Sequence, residues 1–93
     1  MHEMSVVENL IGLLRILQKQ QKARRILVVE IAIHPYSCLD QDNLNFLFAC
    51  VVGEDPVFKN TKIRLIRNKK FQEQEYIVEN VEIEIEENNI EIT

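Results

Sequence analysis

Apolar positions along the first quarter of the chain recur at helical spacing. Val7, Leu10, Ile11, Leu14 and Leu17 fall on one stripe, the period of a helix with one buried face. Leu13 and Ile16 widen that stripe. Ser5 and Glu8 have the spacing of a capping box, so the helix is expected to begin at about Val6 and to leave residues 1–4 outside its ladder. Gln18 to Lys22 form a polar last turn whose positive charge suits a helix C-terminus. From Arg24 to Ile33 the pattern becomes that of a strand. Leu27, Val29, Ile31 and Ile33 define one face, and Ile26, Val28 and Ala32 make the other nearly as apolar, as in a central strand. His34-Pro35 ends it.

A second helix is expected with Asp40 or Asp42 as N-cap, Leu44, Leu47, Phe48 and Val51 as its buried stripe, and Gly53 just past its end. Two strands follow, at about Asn60–Arg67 and Tyr76–Glu86. Val81, Ile83 and Ile85 alternate with Glu82, Glu84 and Glu86. A hairpin turning within Asn68–Glu75 would set Lys62 and Arg64 opposite Asn80, Glu82 and Glu84. Asn88-Asn89 breaks the alternation, leaving Ile90–Thr93 as a tail or an added edge segment. The order helix-strand-helix-strand-strand predicts an α+β fold, a three-stranded sheet with two helices on one face.

A length of 93 residues predicts a single domain, 1–93, with a modest core. The net charge of −4 gives no reason to expect nucleic-acid binding. Charge is segregated all the same. Residues 59–70 carry six basic side chains and no acids, whereas 71–93 carry eight Glu and no Lys or Arg. Such adjacency suits strands with complementary faces. Cys38 and Cys50 are too few for a disulfide framework and lack CxxC spacing. No apolar run approaches the ~18 residues of a membrane span, and no signal peptide is present, so a cytoplasmic protein with reduced thiols is expected.

The candidate chemistry lies at the start, Met1-His2-Glu3-Met4. A free α-amine, a backbone amide and an imidazole within one dipeptide can close on a divalent transition metal as fused chelate rings. Amine and imidazole both lose protons near neutrality, and Ni²⁺ or Cu²⁺ accept planar, nitrogen-rich geometry. Element lengths bring the end of the first strand and the start of the second helix back toward Met1–Met4. His34, Cys38 and Asp40 are therefore candidate neighbours of His2 and candidate fourth ligands. Each also has a plain structural role: a strand-end histidine, a partly buried small residue, a helix cap. Cys50 is expected in the core. Glu3 either adds a carboxylate to the metal or sits solvated at a helix start. No glycine-rich phosphate loop and no Ser/His/Asp arrangement is present, and His34 with Cys38 across Pro35 is weak ground for a nucleophile and base. An enzyme is not expected.

The opening MHEMSVVENLIGLL, with Ala23, a strand ending at Ile33 and a helix bearing Leu44, Phe46 and Phe48, resembles the HypA/HybF family of nickel-incorporation metallochaperones. The likeness covers residues 1 to about 67 and resumes at Ile77–Glu87. It implies Ni(II) as the metal and Met1, His2 and Glu3 as the metal residues: the terminal amine, the His2 ring and neighbouring backbone amides. It implies as partners a hydrogenase maturation GTPase and the hydrogenase large subunit, or urease accessory proteins. The chain departs from the family's pattern at His34-Pro35, where the family carries Gly-Glu. It departs again between the last two strands, where the family holds a zinc module of two CxxC pairs. Here that interval has no cysteine, so no zinc is expected, and the chain is either a natural relative without the module or an engineered deletion. The alternative is a metal-independent interaction module, without membrane or nucleic-acid partners, pairing with another protein or with a second copy of itself.

Overall fold

The computed structural model describes residues 2–73 and 75–85. The first helix, α1, spans Glu3–Gln21 and leads into β1, Ala23–Ile33. The second helix, α2, spans Gln41–Val52, followed by β2, Lys62–Arg67, and β3, Tyr76–Ile85. The sheet order is β2-β1-β3. The longest strand is central, with β2 parallel to it and β3 antiparallel. The α+β class and the order of elements are as the sequence predicts; the pairing is not. No β2–β3 hairpin forms, because α2 carries the chain across from β1 to a parallel β2, and β3 then takes the opposite edge. The charges meet through β1 instead. Glu30 in the centre accepts from Arg64 Nη1 of β2 at 2.8 Å and from Asn80 Nδ2 of β3 at 3.3 Å.

Bulges set which residues of β1 face the helices. Ile26 pairs with Ile83 and Val28 with Glu82, so Leu27 is the unpaired extra residue. A bulge shifts the two-residue period by one, and Ile26 rather than Leu27 joins Val29, Ile31 and Ile33 in the core. A second bulge leaves Glu79 unpaired between Val78 and Asn80. This keeps Tyr76, Val78, Val81 and Ile83 on the helix side, packed against the core. Val6, Val7, Leu10 and Leu14 of α1 and Leu44, Phe48 and Val52 of α2 complete the same cluster.

The helices lie side by side and parallel. Glu3 meets the start of α2, and twelve residues on, Arg15 reaches Asp55 just past its end, at 3.3 Å. Arg15 also lies over the Phe58 ring. The apolar stripes are narrower than expected. Leu13, Ile16 and Val51 are exposed, and Val52 takes the place given to Val51. Cys50 is exposed and outside the core. Lys22, in the left-handed region at φ 53°, closes α1, and Gly53 at φ 57° closes α2. Glu86 and the Ile90–Thr93 segment lie outside the described residues.

Candidate metal centre

The helix begins three residues earlier than the Ser5–Glu8 pattern predicts. His2 is the N-cap residue, in extended backbone at φ −86° and ψ 123°, and its carbonyl accepts from the Val6 amide at 3.2 Å. Ser5 therefore sits in the first turn. The cause is tertiary. The Glu3 carboxylate accepts from the Asp40 amide at 2.7 Å and from the Asn43 side-chain amide. That anchors the first turn of α1 to the N-terminus of α2, where a negative charge is favoured. The half-buried Glu3 carboxylate thus ties two helix starts together.

The earlier start changes what the His2 segment offers. The first amides of a helix have no partner within it, and here those belong to Glu3, Met4 and Ser5. The His2 side chain is exposed and makes no capping bond. Met1 lies outside the described residues. Among the described residues, the start of α1 thus presents helix amides without a partner in the helix beside an exposed imidazole that makes no capping bond.

The loop from His34 to Asp40 does return to this end of the molecule, since Glu3 holds Asp40 directly. Asp40 is the N-cap of α2, its carboxylate accepting from the Asn43 amide at 2.8 Å. His34 is half-buried, its Nδ1 accepts from the Tyr36 amide at 3.0 Å, and its ring lies tilted against Tyr36. Cys38 is exposed rather than partly buried. Among the described residues, no three His, Cys, Asp or Glu side chains converge as a metal cluster. The interval between β2 and β3 contains no cysteine.

Sequence reasoning missed the residue that shapes this loop. The Arg67 guanidinium donates to the carbonyls of Pro35, Ser37 and Leu39, at 3.0, 3.3 and 3.4 Å. Asn68 adds an amide bond to the Ile33 carbonyl at 2.7 Å. Arg67 follows Ile63 and Leu65 on the inward parity of β2. Arg67 is itself exposed, so the alternation of β2 carries no signal for these contacts, which depend on where the 34–40 loop returns. Among the described residues no helix is long and apolar enough to cross a membrane.

The family model described as hydrogenase/urease nickel incorporation, metallochaperone, hypA matches residues 1–72. The hydrogenase maturation factor HypA of Actinobacillus succinogenes is 30% identical over 66 residues, which cover 71% of this chain and 58% of the relative. The chain thus spans less than two thirds of the length of that curated relative. The solution structure of the nickel metallochaperone HypA from Helicobacter pylori is similar at a TM-score of 0.74 and 21% identity, covering 92% of this chain and 100% of that one. A second solution structure of a HypA protein matches at 0.71 and 21% identity, over 91% and 98% of the two chains. At that identity the likeness of structures speaks for the fold.

Proposed function

Because the chain belongs to the HypA family of hydrogenase/urease nickel-incorporation metallochaperones, we propose that it captures Ni(II) as cargo at its first residues and passes it to a maturation partner. The observation that carries this reading is the free start of α1: an exposed, uncapped His2 ring beside helix amides with no acceptor within the helix. In this reading three ligands are nitrogens of one dipeptide, the Met1 amine and the His2 amide and imidazole, and a neighbouring amide such as that of Glu3 is one candidate for the fourth. The Glu3 carboxylate stays on α2 and fixes the position of that amide. Three local nitrogens hold nickel less completely than a closed cage would, which suits release. A fourth ligand comes from Glu3, from the His34–Asp40 loop or from the receiving protein. Of the loop residues, Asp40 is the poorest choice, because its carboxylate already caps α2.

No reaction is assigned to the chain; its work is binding and transfer. Partners of the hydrogenase maturation machinery follow from the family, and the maturation GTPase, the hydrogenase large subunit and urease accessory proteins are the specific candidates. Protons compete with nickel for amine, imidazole and amide nitrogens alike, so binding weakens on acidification. Calorimetric titration of Ni²⁺ into wild type and His2→Ala tests the site. Loss of the tight phase in the variant supports it, and equal micromolar binding by both would remove it. Intact mass must accompany the titration, since removal of Met1 makes His2 the terminal residue and changes the chelate.

A second reading is favoured by one observation, the engagement of the Glu3 carboxylate in holding α2. A first turn under structural selection alone would also keep Glu3, and the domain would then act as a metal-independent interaction module. Partner binding indifferent to Ni²⁺ and to His2→Ala distinguishes it.

A further inference from the structure

The two edges of the sheet are treated differently. On β2, side chains of α2 occupy the outward backbone groups. Asn45 accepts from the Ile63 amide at 2.8 Å and donates to the Ile63 carbonyl at 2.9 Å, and Gln41 accepts from the Leu65 amide at 2.8 Å. An edge covered in this way cannot take another strand. On β3, among the described residues, no side chain or loop bonds to the outward backbone over Val81–Ile85.

A wall stands above that open edge. Asn9 of α1 donates to the Tyr76 hydroxyl of β3 at 3.5 Å, which turns one stripe of α1 toward β3. Residues four and seven further along a helix share a stripe, so Leu13 and Ile16 continue it. Both are exposed, at 48% and 58%, although they are large and aliphatic. Below, Val81 and Ile83 are only partly covered. On the opposite face of the same strand lie Glu82 and Glu84, and of these only Glu84 has a cation near it among the described residues, Arg25 at 3.8 Å.

We propose that the edge of β3 over Val81–Ile85, with Leu13 and Ile16 of α1 beside it, is a strand-acceptor groove whose occupant is an extended segment of a partner protein alternating apolar and basic residues. Backbone pairing supplies the attachment, as in other proteins that add a strand to a sheet edge. Apolar side chains on the helix side meet Leu13, Ile16, Val81 and Ile83, and basic ones on the other side meet Glu82. Like charges opposite one another destabilise a ladder, which disfavours the acidic 86–93 segment and the β3 of a second copy. The chain's own basic and apolar strand, β2, is held between β1 and the α2 side chains. Pairing at this edge requires no nickel.

The probe is a capped ten-residue peptide alternating Lys and Val, with a Glu-Val peptide as control, added to the full chain. Binding is read by fluorescence anisotropy, and the site by hydrogen exchange. The Lys-Val peptide is expected to bind and to slow exchange at β3 amides. Ile16→Glu is expected to weaken it at least tenfold and Glu82→Lys at least threefold, with Phe46→Glu on the exposed face of α2 without effect. Leu13→Ser serves if Ile16→Glu alters the melting curve. No binding, equal binding of the Glu-Val peptide, unchanged affinity in both α1 variants, or no slowing in β3 would each overturn the proposal. So would a wild-type dimer that Ile16→Glu dissolves, since the occupant would then be a second copy. Tenfold tighter peptide binding on Ile90→Pro would overturn it too, by placing the chain's own tail in the groove.

Discussion

Replacing Glu3 by alanine is expected to destabilise the domain by about 1–2 kcal/mol, whether or not nickel is bound. The carboxylate makes two hydrogen bonds to the start of α2, one to the Asp40 amide at 2.7 Å and one to the Asn43 side chain. Bonds to a charged acceptor are each worth about 1.5–3 kcal/mol when water is excluded. Glu3 is only half-buried and both bonds lie at the surface, so water replaces most of what is lost and the two bonds together are worth about 1 kcal/mol, as for exposed charge pairs. A negative charge at a helix N-terminus adds about 0.3–1 kcal/mol. Asp40 still caps α2 after the substitution, which limits the damage. For a domain of 60–100 residues 1 kcal/mol corresponds to about 4–8 °C, so thermal melting followed by circular dichroism at low metal resolves the change. Asn43→Ala completes a double-mutant cycle, with an expected coupling of about 0.5–1 kcal/mol. Glu3→Ala melting within 1 °C of wild type, or effects of the two substitutions that simply add, would refute the tether.

Three further substitutions probe other parts of the structure. Ile26→Ala is expected to cost about 2–5 kcal/mol and Leu27→Ala clearly less, in urea unfolding; the reverse order would contradict the bulge at Leu27. Arg67→Ala is expected to cost about 1–2 kcal/mol through its three carbonyl partners, and Arg67→Lys to recover little of that, because an ammonium lacks the planar fork; urea midpoints check both. Asn45→Ala uncovers the outer edge of β2, so stronger concentration-dependent association than that of the wild type is expected in sedimentation, and an unchanged profile would argue that the edge is protected by other means.

Much of the fold can be read from periodicity, and the places where it cannot are those that depend on contacts distant in sequence. Leu10, Leu14, Ile31, Ile33 and Phe48 are apolar on a regular period and lie in the core. Leu27 follows the same rule and fails it, because a bulge inserts one residue into the alternation and only the pairing with β3 reveals it. The Ser5–Glu8 capping box is a valid local signal that is overridden by Glu3, whose bonds to Asp40 and Asn43 span about forty positions of sequence. Strand order eluded the sequence for the same reason: a short connection between β2 and β3 suggests a hairpin, while the preference of β1 for a partner on each side decides otherwise. At the candidate centre, the return of the 34–40 loop toward the first residues followed from element lengths. What length could not supply was the use already made of each side chain. Asp40 is engaged as a cap, and the Glu3 carboxylate as a tether. The Nδ1 of His34 is taken by a backbone amide.

The central claim is that nickel is held by the nitrogens of the first residues, and the absorption spectrum of the nickel-loaded protein tests it most directly. A planar, diamagnetic Ni²⁺ with a single d–d band, lost on His2→Ala, is the predicted result. Weak octahedral bands that survive the substitution would show ordinary side-chain binding elsewhere and contradict the account.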